Sequence, residues 1–117
     1  MRFNLPKNDA TYRWTAHVVR KMQHYALSAD RVKRVMRSPA RMEESVVPGA
    51  VGVMQMAVTP KKPTEIWVMY RQDASKGRKV VITAWRYPGV SPVRDTIPIP
   101  ADILAEIRHE LDLLSKE

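Results

Sequence analysis

Cysteine is absent from the 117 residues of this chain. Its absence excludes disulfide bonds and thiolate-bound zinc, and it leaves the redox compartment unmarked. Long apolar runs are absent as well. No stretch approaches the roughly 20 apolar residues that a transmembrane helix requires, and the first residues lack the apolar segment of a secretory signal. We therefore expect a cytoplasmic protein that does not associate with a membrane.

Histidine is scarce, with three residues in the whole chain. His17, His24 and His109 share no spacing that is typical of metal ligands, so we expect no metal site. No motif fixes an activity by itself, and we expect no cofactor.

Acidic residues are few and are concentrated towards the C-terminal end of a chain whose net charge is +8. Residues 1–41 contain ten lysine or arginine residues against two acids, whereas residues 95–117 contain two against six. A basic body followed by an acidic segment indicates a surface that binds polyanions such as nucleic acid. The alternative is that the charge has no specific partner.

The most apolar part of the chain is a pair of runs at residues 65–71 and 79–87, which are rich in β-branched and aromatic residues. With the polar residues 72–78 between them, they predict an antiparallel hairpin. Both strands are apolar on both faces, so the hairpin needs cover on each side and is expected at the centre of the fold. The alternation predicts one face with Ile66, Val68 and Tyr70 opposite Trp67 and Met69, and Val80, Ile82 and Ala84 opposite Val81 and Trp85.

Two helices are predicted before this hairpin. The first begins after the N-cap Thr15 and runs to about Tyr25, and the second follows the N-cap Ser28 and ends before Ser38-Pro39. Apolar residues recur at helical spacing in both. The expected buried residues are Trp14, Val18, Met22 and Tyr25 in the first helix and Val32, Val35 and Met36 in the second.

The remaining chain supplies further strands and a last helix. Residues 1–12 are expected to be irregular, 41–46 and 51–58 to be strands, and 101–114 to be an amphipathic helix with an acidic outer side. The predicted fold is a single α+β domain over residues 1–117. Its N-terminal helical hairpin packs on a four-stranded antiparallel sheet, and the C-terminal helix or a partner covers the second face.

The two predicted helices carry a recognisable sequence pattern. It consists of Trp14-Thr15-Ala16-His17-Val18-Val19-Arg20-Lys21-Met22, followed by Leu27-Ser28-Ala29-Asp30-Arg31-Val32 and Ser38-Pro39. This pattern resembles the opening of a small, largely uncharacterised bacterial domain family related to the RelE/ParE-like and BrnT-like toxins. The resemblance covers residues 11–90 and implies a RelE-like fold and RNA cleavage without a metal. The acidic helix within residues 98–117 lies outside the core pattern.

Metal-independent RNA cleavage needs groups that move protons and a cation that stabilises the phosphate. The resemblance makes His17 the first catalytic candidate, with Arg71 or Arg86 as the phosphate clamp. Thr83 and Tyr87 could orient the substrate. Each residue has a structural alternative. His17 can bond to a strand carbonyl, and the arginines can pair with Glu43 or Glu65.

Lysines and arginines on the helices and in one loop are the candidate phosphate contacts. A solvated helix face explains the same residues without a ligand. Trp67 and Trp85 can stack on bases or fill the core. The candidate RNA-binding residues are Lys21, Arg31, Lys33, Arg34, Arg37, Lys61 and Lys62.

Three functional hypotheses follow from the sequence. The first is an RNA-binding, toxin-like protein that acts as a metal-independent endoribonuclease or has lost catalysis, with an antitoxin-like protein as a further partner. The second is a non-enzymatic basic adaptor for nucleic acid or the ribosome, and the third is a protein-interaction module that uses an exposed sheet face. The acidic C-terminal helix either completes the core or occludes an RNA groove like a built-in antitoxin element.

Overall fold

The β-branched hairpin forms the middle of the sheet in the computed structural model, which describes residues 3–45, 47–57, 62–73, 75–91 and 97–115. The helices and strands of these ranges were predicted from the sequence with one exception, the strand β1. The elements are β1 (Tyr12–Trp14), α1 (Ala16–Tyr25), α2 (Ala29–Arg37), β2 (Arg41–Glu44), β3 (Ala50–Ala57), β4 (Thr64–Asp73), β5 (Arg78–Pro88) and α3 (Ala101–Ser115).

Across the described residues the sheet has five strands in the order β1-β5-β4-β3-β2. Strands β2 to β5 are antiparallel neighbours, as predicted, whereas β1 lies parallel to β5 and makes the sheet mixed. The expectation of a purely antiparallel four-stranded sheet was therefore wrong. Strand β1 was not predicted, because it has only three residues and its pairing partners, residues 79–81, are distant in the sequence.

Side-chain caps fix where the two N-terminal helices begin. Thr15 accepts a hydrogen bond from the Val18 backbone N–H, and Ser28 accepts one from that of Arg31. Both residues were predicted as N-caps. Helix α1 ends at Ala26, whose left-handed backbone (φ 55°) turns the chain straight into α2. The predicted apolar stripes of both helices pack on one face of the sheet.

Two apolar clusters of described residues lie on opposite faces of the sheet. Helices α1 and α2 cover the first face, which carries Ile66 and Val68. Helix α3 covers the second, where Ile103 and Ile107 pack in the cluster of Trp67 and other residues. The C-terminal helix, rather than a partner, therefore covers the second face of the sheet and completes the core. The sheet face that an interaction module would have exposed is occupied within the chain.

The face assignment of β5 needs one correction. Ala84 lies on the first face and Trp85 on the second, but Val81 lies with Ala84, and Val80 and Ile82 lie with Trp85. A β-bulge causes the change, because Met69 pairs with Thr83 while its neighbour Tyr70 pairs with Val81. One extra residue in a strand reverses the face of everything that follows it.

Helix α1 continues along the side of β5 where β1 stops. The Thr15 backbone N–H donates to the Val81 carbonyl, and the Thr15 hydroxyl donates to the Ile82 carbonyl over 3.0 Å. Farther along, Arg86 donates to the Tyr25 carbonyl at the other end of the helix. The first helix is thus fastened to the strand by its first and last turns.

Two tryptophans are stacked beneath α3. The rings of Trp67 and Trp85 are parallel within 6° with centroids 6.0 Å apart, and both side chains are fully buried. They belong to the core rather than to a base-stacking surface. In the described part of the chain, no helix is both long and apolar enough to cross a membrane.

We expect Thr15→Ala to destabilise the fold more than Ser28→Ala. Either variant loses an N-cap, which costs about 1 kcal/mol. Thr15 is also a buried donor to the Ile82 carbonyl, so its removal should cost about 1 kcal/mol more. Urea unfolding of both variants measures the difference, and equal losses would show that the hydroxyl contact with β5 adds nothing.

Candidate nucleic-acid interface

His17, the first catalytic candidate, is buried between α1, β5 and α3, with 1% of its surface exposed. Its Nε2 shares a hydrogen bond of 2.8 Å with the Thr83 hydroxyl. Its Nδ1 lies 3.0 Å from a carboxylate oxygen of Glu106 on α3. One ring nitrogen is therefore hydrogen-bonded inside the protein, and the other faces a carboxylate. The structural alternative predicted a strand carbonyl as the partner of His17. The partner is instead the Thr83 hydroxyl, and Thr15 is the residue that bonds to a strand carbonyl, that of Ile82.

Lys21 follows His17 by one turn of α1 and also faces α3. Its ammonium nitrogen lies 3.3 Å from Glu106 and 3.7 Å from Asp102. The acids of the last helix thus offset the charge of a predicted RNA contact. Lys21 is largely buried beneath them, with 14% of its side chain exposed.

The other catalytic candidates lie apart from one another. Arg71 is opposite Val80 in the sheet, whereas Arg86 is opposite Ile66. The two positions on β4, Ile66 and Arg71, are five residues apart, which is about 17 Å along the strand. Tyr87 packs against the cluster on the second face, away from Arg86. His17, Arg71, Arg86 and Tyr87 therefore do not form one site.

Arginine side chains do converge elsewhere. A cleft of about 660 Å³ opens where the α1–α2 turn meets the ends of β3 and β5. Arg31 and Arg34 from α2 and Arg86 from β5 line it, beside Ser28 at the start of α2 and Gln55 of β3. All three arginines are candidates from the sequence, and the fold brings them together from separate elements.

Neutral acceptors hold two of these guanidinium groups in place. Arg31 donates to the Gln55 side-chain oxygen over 2.6 Å and to the Met56 carbonyl over 3.3 Å. Arg86 donates to the Tyr25 carbonyl over 2.8 Å and to the Ala26 carbonyl over 3.5 Å. These carbonyls end helix α1, where the helix dipole favours a cation. The side chains are oriented without being neutralised.

The electrostatics of the cleft favour an anion. Burial lowers the pKa of the Arg31 guanidinium below its ordinary value, and the positive charges of Arg34 and Arg86 lower it further. The group still stays charged at neutral pH. Within the described part of the chain, no ion pair involves these arginines. A bound anion would relieve their mutual repulsion.

The remaining predicted cations lie outside the lining of this cleft. Lys33 lies over the ring of Tyr12, 5.4 Å from its centroid, and Arg37 is exposed near the end of α2. Lys62 is exposed in the segment before β4, and Lys61 lies outside the described residues. Of the four cationic residues of α2, Arg31 and Arg34 line the cleft, whereas Lys33 and Arg37 do not.

A buried charge cluster on the opposite face was missed. Glu65 is fully buried and accepts hydrogen bonds from Trp67 and from Ser91, whose hydroxyl is 2.6 Å away. Arg41 lies 3.4 Å from Glu65 and 2.8 Å from Glu43. The predicted acidic partners of Arg71 and Arg86 were wrong, since these acids pair with Arg41. The signal was available, because strand alternation places Glu65 on the inward face with Trp67.

Comparisons of the chain with protein-family models, curated proteins and solved structures gave no significant match. The relation to RelE/ParE-like and BrnT-like toxins therefore stays a prediction. Among the described residues, no group of three or more acidic or histidine side chains is placed to hold a metal ion.

We expect His17→Ala to lower the free energy of unfolding by about 1–3 kcal/mol, because it leaves the buried Thr83 hydroxyl without its partner. The matched change His24→Ala removes an exposed side chain and should alter stability by less than about 0.5 kcal/mol. Thermal or urea unfolding compares the two. Equal stabilities would mean that the contacts of His17 contribute nothing to the fold.

Proposed function

We propose that this protein binds RNA without cleaving it and that it holds a backbone phosphate in the cleft of Arg31, Arg34 and Arg86. The observation that carries the proposal is the convergence of these arginines, two of which are held by neutral acceptors and none of which has a carboxylate partner among the described residues. A guanidinium fork matches the geometry of a phosphate and binds it through paired hydrogen bonds.

The overall charge supports the same class of ligand. A net charge of +8 attracts a polyanion over distances longer than any single contact. Ribosomal RNA presents the same phosphates, so a ribosome-bound adaptor uses the same cleft. An acidic, antitoxin-like protein is the competing partner.

The relation to the RelE-like fold is part of the proposal. It is supported by the helical hairpin on one face of the antiparallel strands β2 to β5. Strand β1 and helix α3 are additions to that pattern. Helix α3 also places Glu106 against His17, the residue that the resemblance implies for catalysis.

Arg34→Gln should weaken binding of a short single-stranded RNA roughly tenfold, the loss expected for a charge-assisted hydrogen bond. The salt dependence of binding should also fall by about one phosphate contact. Arg34 is exposed, so the substitution should leave the fold intact. Fluorescence anisotropy between about 50 and 200 mM salt measures both quantities.

Arg108→Gln is the matched control, since it removes the same charge from an exposed position on α3. It should change affinity much less than Arg34→Gln. If both variants lose the same affinity, binding depends on the overall charge and the cleft is not the site.

We expect purified protein to bind RNA in the presence of EDTA and to leave it intact. His17 is enclosed, and Arg71 lies about 17 Å along the strand from the cleft arginine Arg86. Gel electrophoresis of end-labelled RNA after long incubation gives the measurement. Cleavage that disappears in a stably folded His17→Asn variant would contradict this prediction and support the endoribonuclease.

A further inference from the structure

A second cavity lies on the other side of the turn that joins α1 to α2. It has a volume of about 610 Å³, and the N-terminal segment before β1 forms one wall. Phe3, Leu5, Pro6 and Leu27 give it an apolar surface. Leu5 is 64% exposed at this site, so an apolar side chain is presented there to solvent.

The cavity and the arginine cleft share two lining residues, Ala26 and Ser28. These residues form the short turn between the helices. A ligand that crosses the turn would have an anionic group against the arginines and an apolar group against Phe3. The two cavities together select for a molecule with both parts, and neither part alone would use the whole surface.

The rim of the apolar cavity adds a third requirement. Polar side chains around the apolar floor offer hydrogen-bond donors and acceptors, and they belong to Asn4, Lys7, Gln23 and Asp30. A nucleobase has a flat apolar face and a polar edge, and bases stack readily on aromatic side chains such as Phe3. An alkyl chain would use the floor but leave the polar rim without partners.

We propose that the protein binds a single RNA nucleotide across the turn, with its base in the cavity of Phe3 and its phosphate against Arg31, Arg34 and Arg86. This inference rests on the proposed RNA binding and adds that one base is read directly. The base must be unpaired, because a base inside a duplex is stacked on both sides. The protein should therefore prefer single strands to duplexes.

The test compares a short single-stranded RNA with the same strand carrying abasic ribonucleotides, which keeps every phosphate and removes the bases. The wild-type protein should bind the abasic strand roughly 5- to 150-fold more weakly, the range found for stacked bases. In Phe3→Ala this ratio should fall towards one. Arg34→Gln should weaken both strands by a similar factor and leave the ratio high.

Val90→Ala is the matched control, because Val90 is 67% exposed and does not line the cavity. It should keep the wild-type ratio. Phe3 packs partly on the first core cluster, so Phe3→Ala can disturb the fold. Leu5→Ala trims an exposed side chain of the same cavity and should lower the ratio without that disturbance.

Each outcome decides one of the two proposals. An abasic ratio near one in the wild type, with a large loss in Arg34→Gln, overturns base binding and keeps phosphate binding. No effect of Arg34→Gln on either strand overturns both. If a single-chain lysophospholipid displaces the RNA while the abasic ratio stays near one, the cavity takes an acyl chain and base binding is wrong.

Discussion

The hydrogen-bonding groups along the outer edge of β5 are the constraint on which the N-terminal half of this structure depends. An unpaired strand edge invites association with other chains. Here β1 pairs with the first part of the edge, and Thr15 donates to the next two backbone carbonyls, those of Val81 and Ile82. Farther along, the side chains of Thr83 and Arg86 bond to helix α1. Because the helix is tied at both ends, the position of the α1–α2 turn is set by the sheet.

The α1–α2 turn determines where the cleft arginines lie. Its position brings the start of α2 against the ends of β3 and β5, and so it places Arg31 beside Arg86. The contrast with other cations of the chain is physical. Arg41 and Lys21 are paired with carboxylates, whereas Arg31 and Arg86 are held by amide and carbonyl oxygens. A cation oriented by neutral groups keeps its charge for a ligand, and a cation paired with an acid does not.

Periodicity predicted most of the fold because burial leaves a regular mark on a sequence. The stripes of α1 and α2 and the faces of β4 are in this class. The sheet face of Val81 could not be predicted in this way, because a bulge depends on how two strands pair. Strand β1 was missed because its three residues gain their structure from β5, more than 60 positions later. The cleft needed the same long-range information. The sequence indicated which side chains are cationic, but the fold decides that Arg34 meets Arg86 and that Lys33 does not.

The stacked pair Trp67–Trp85 gives the protein an internal optical probe. Indole emission shifts to longer wavelength when water reaches the ring. Helix α3 screens this pair from water, on the side of the sheet opposite the cleft arginines. Emission from the pair therefore reports whether the last helix is docked, largely independently of what occupies the surface on the other side. Trp14, which packs with α1 and α2, provides a second chromophore for that side. The molecule thus carries separate fluorophores for its two layers.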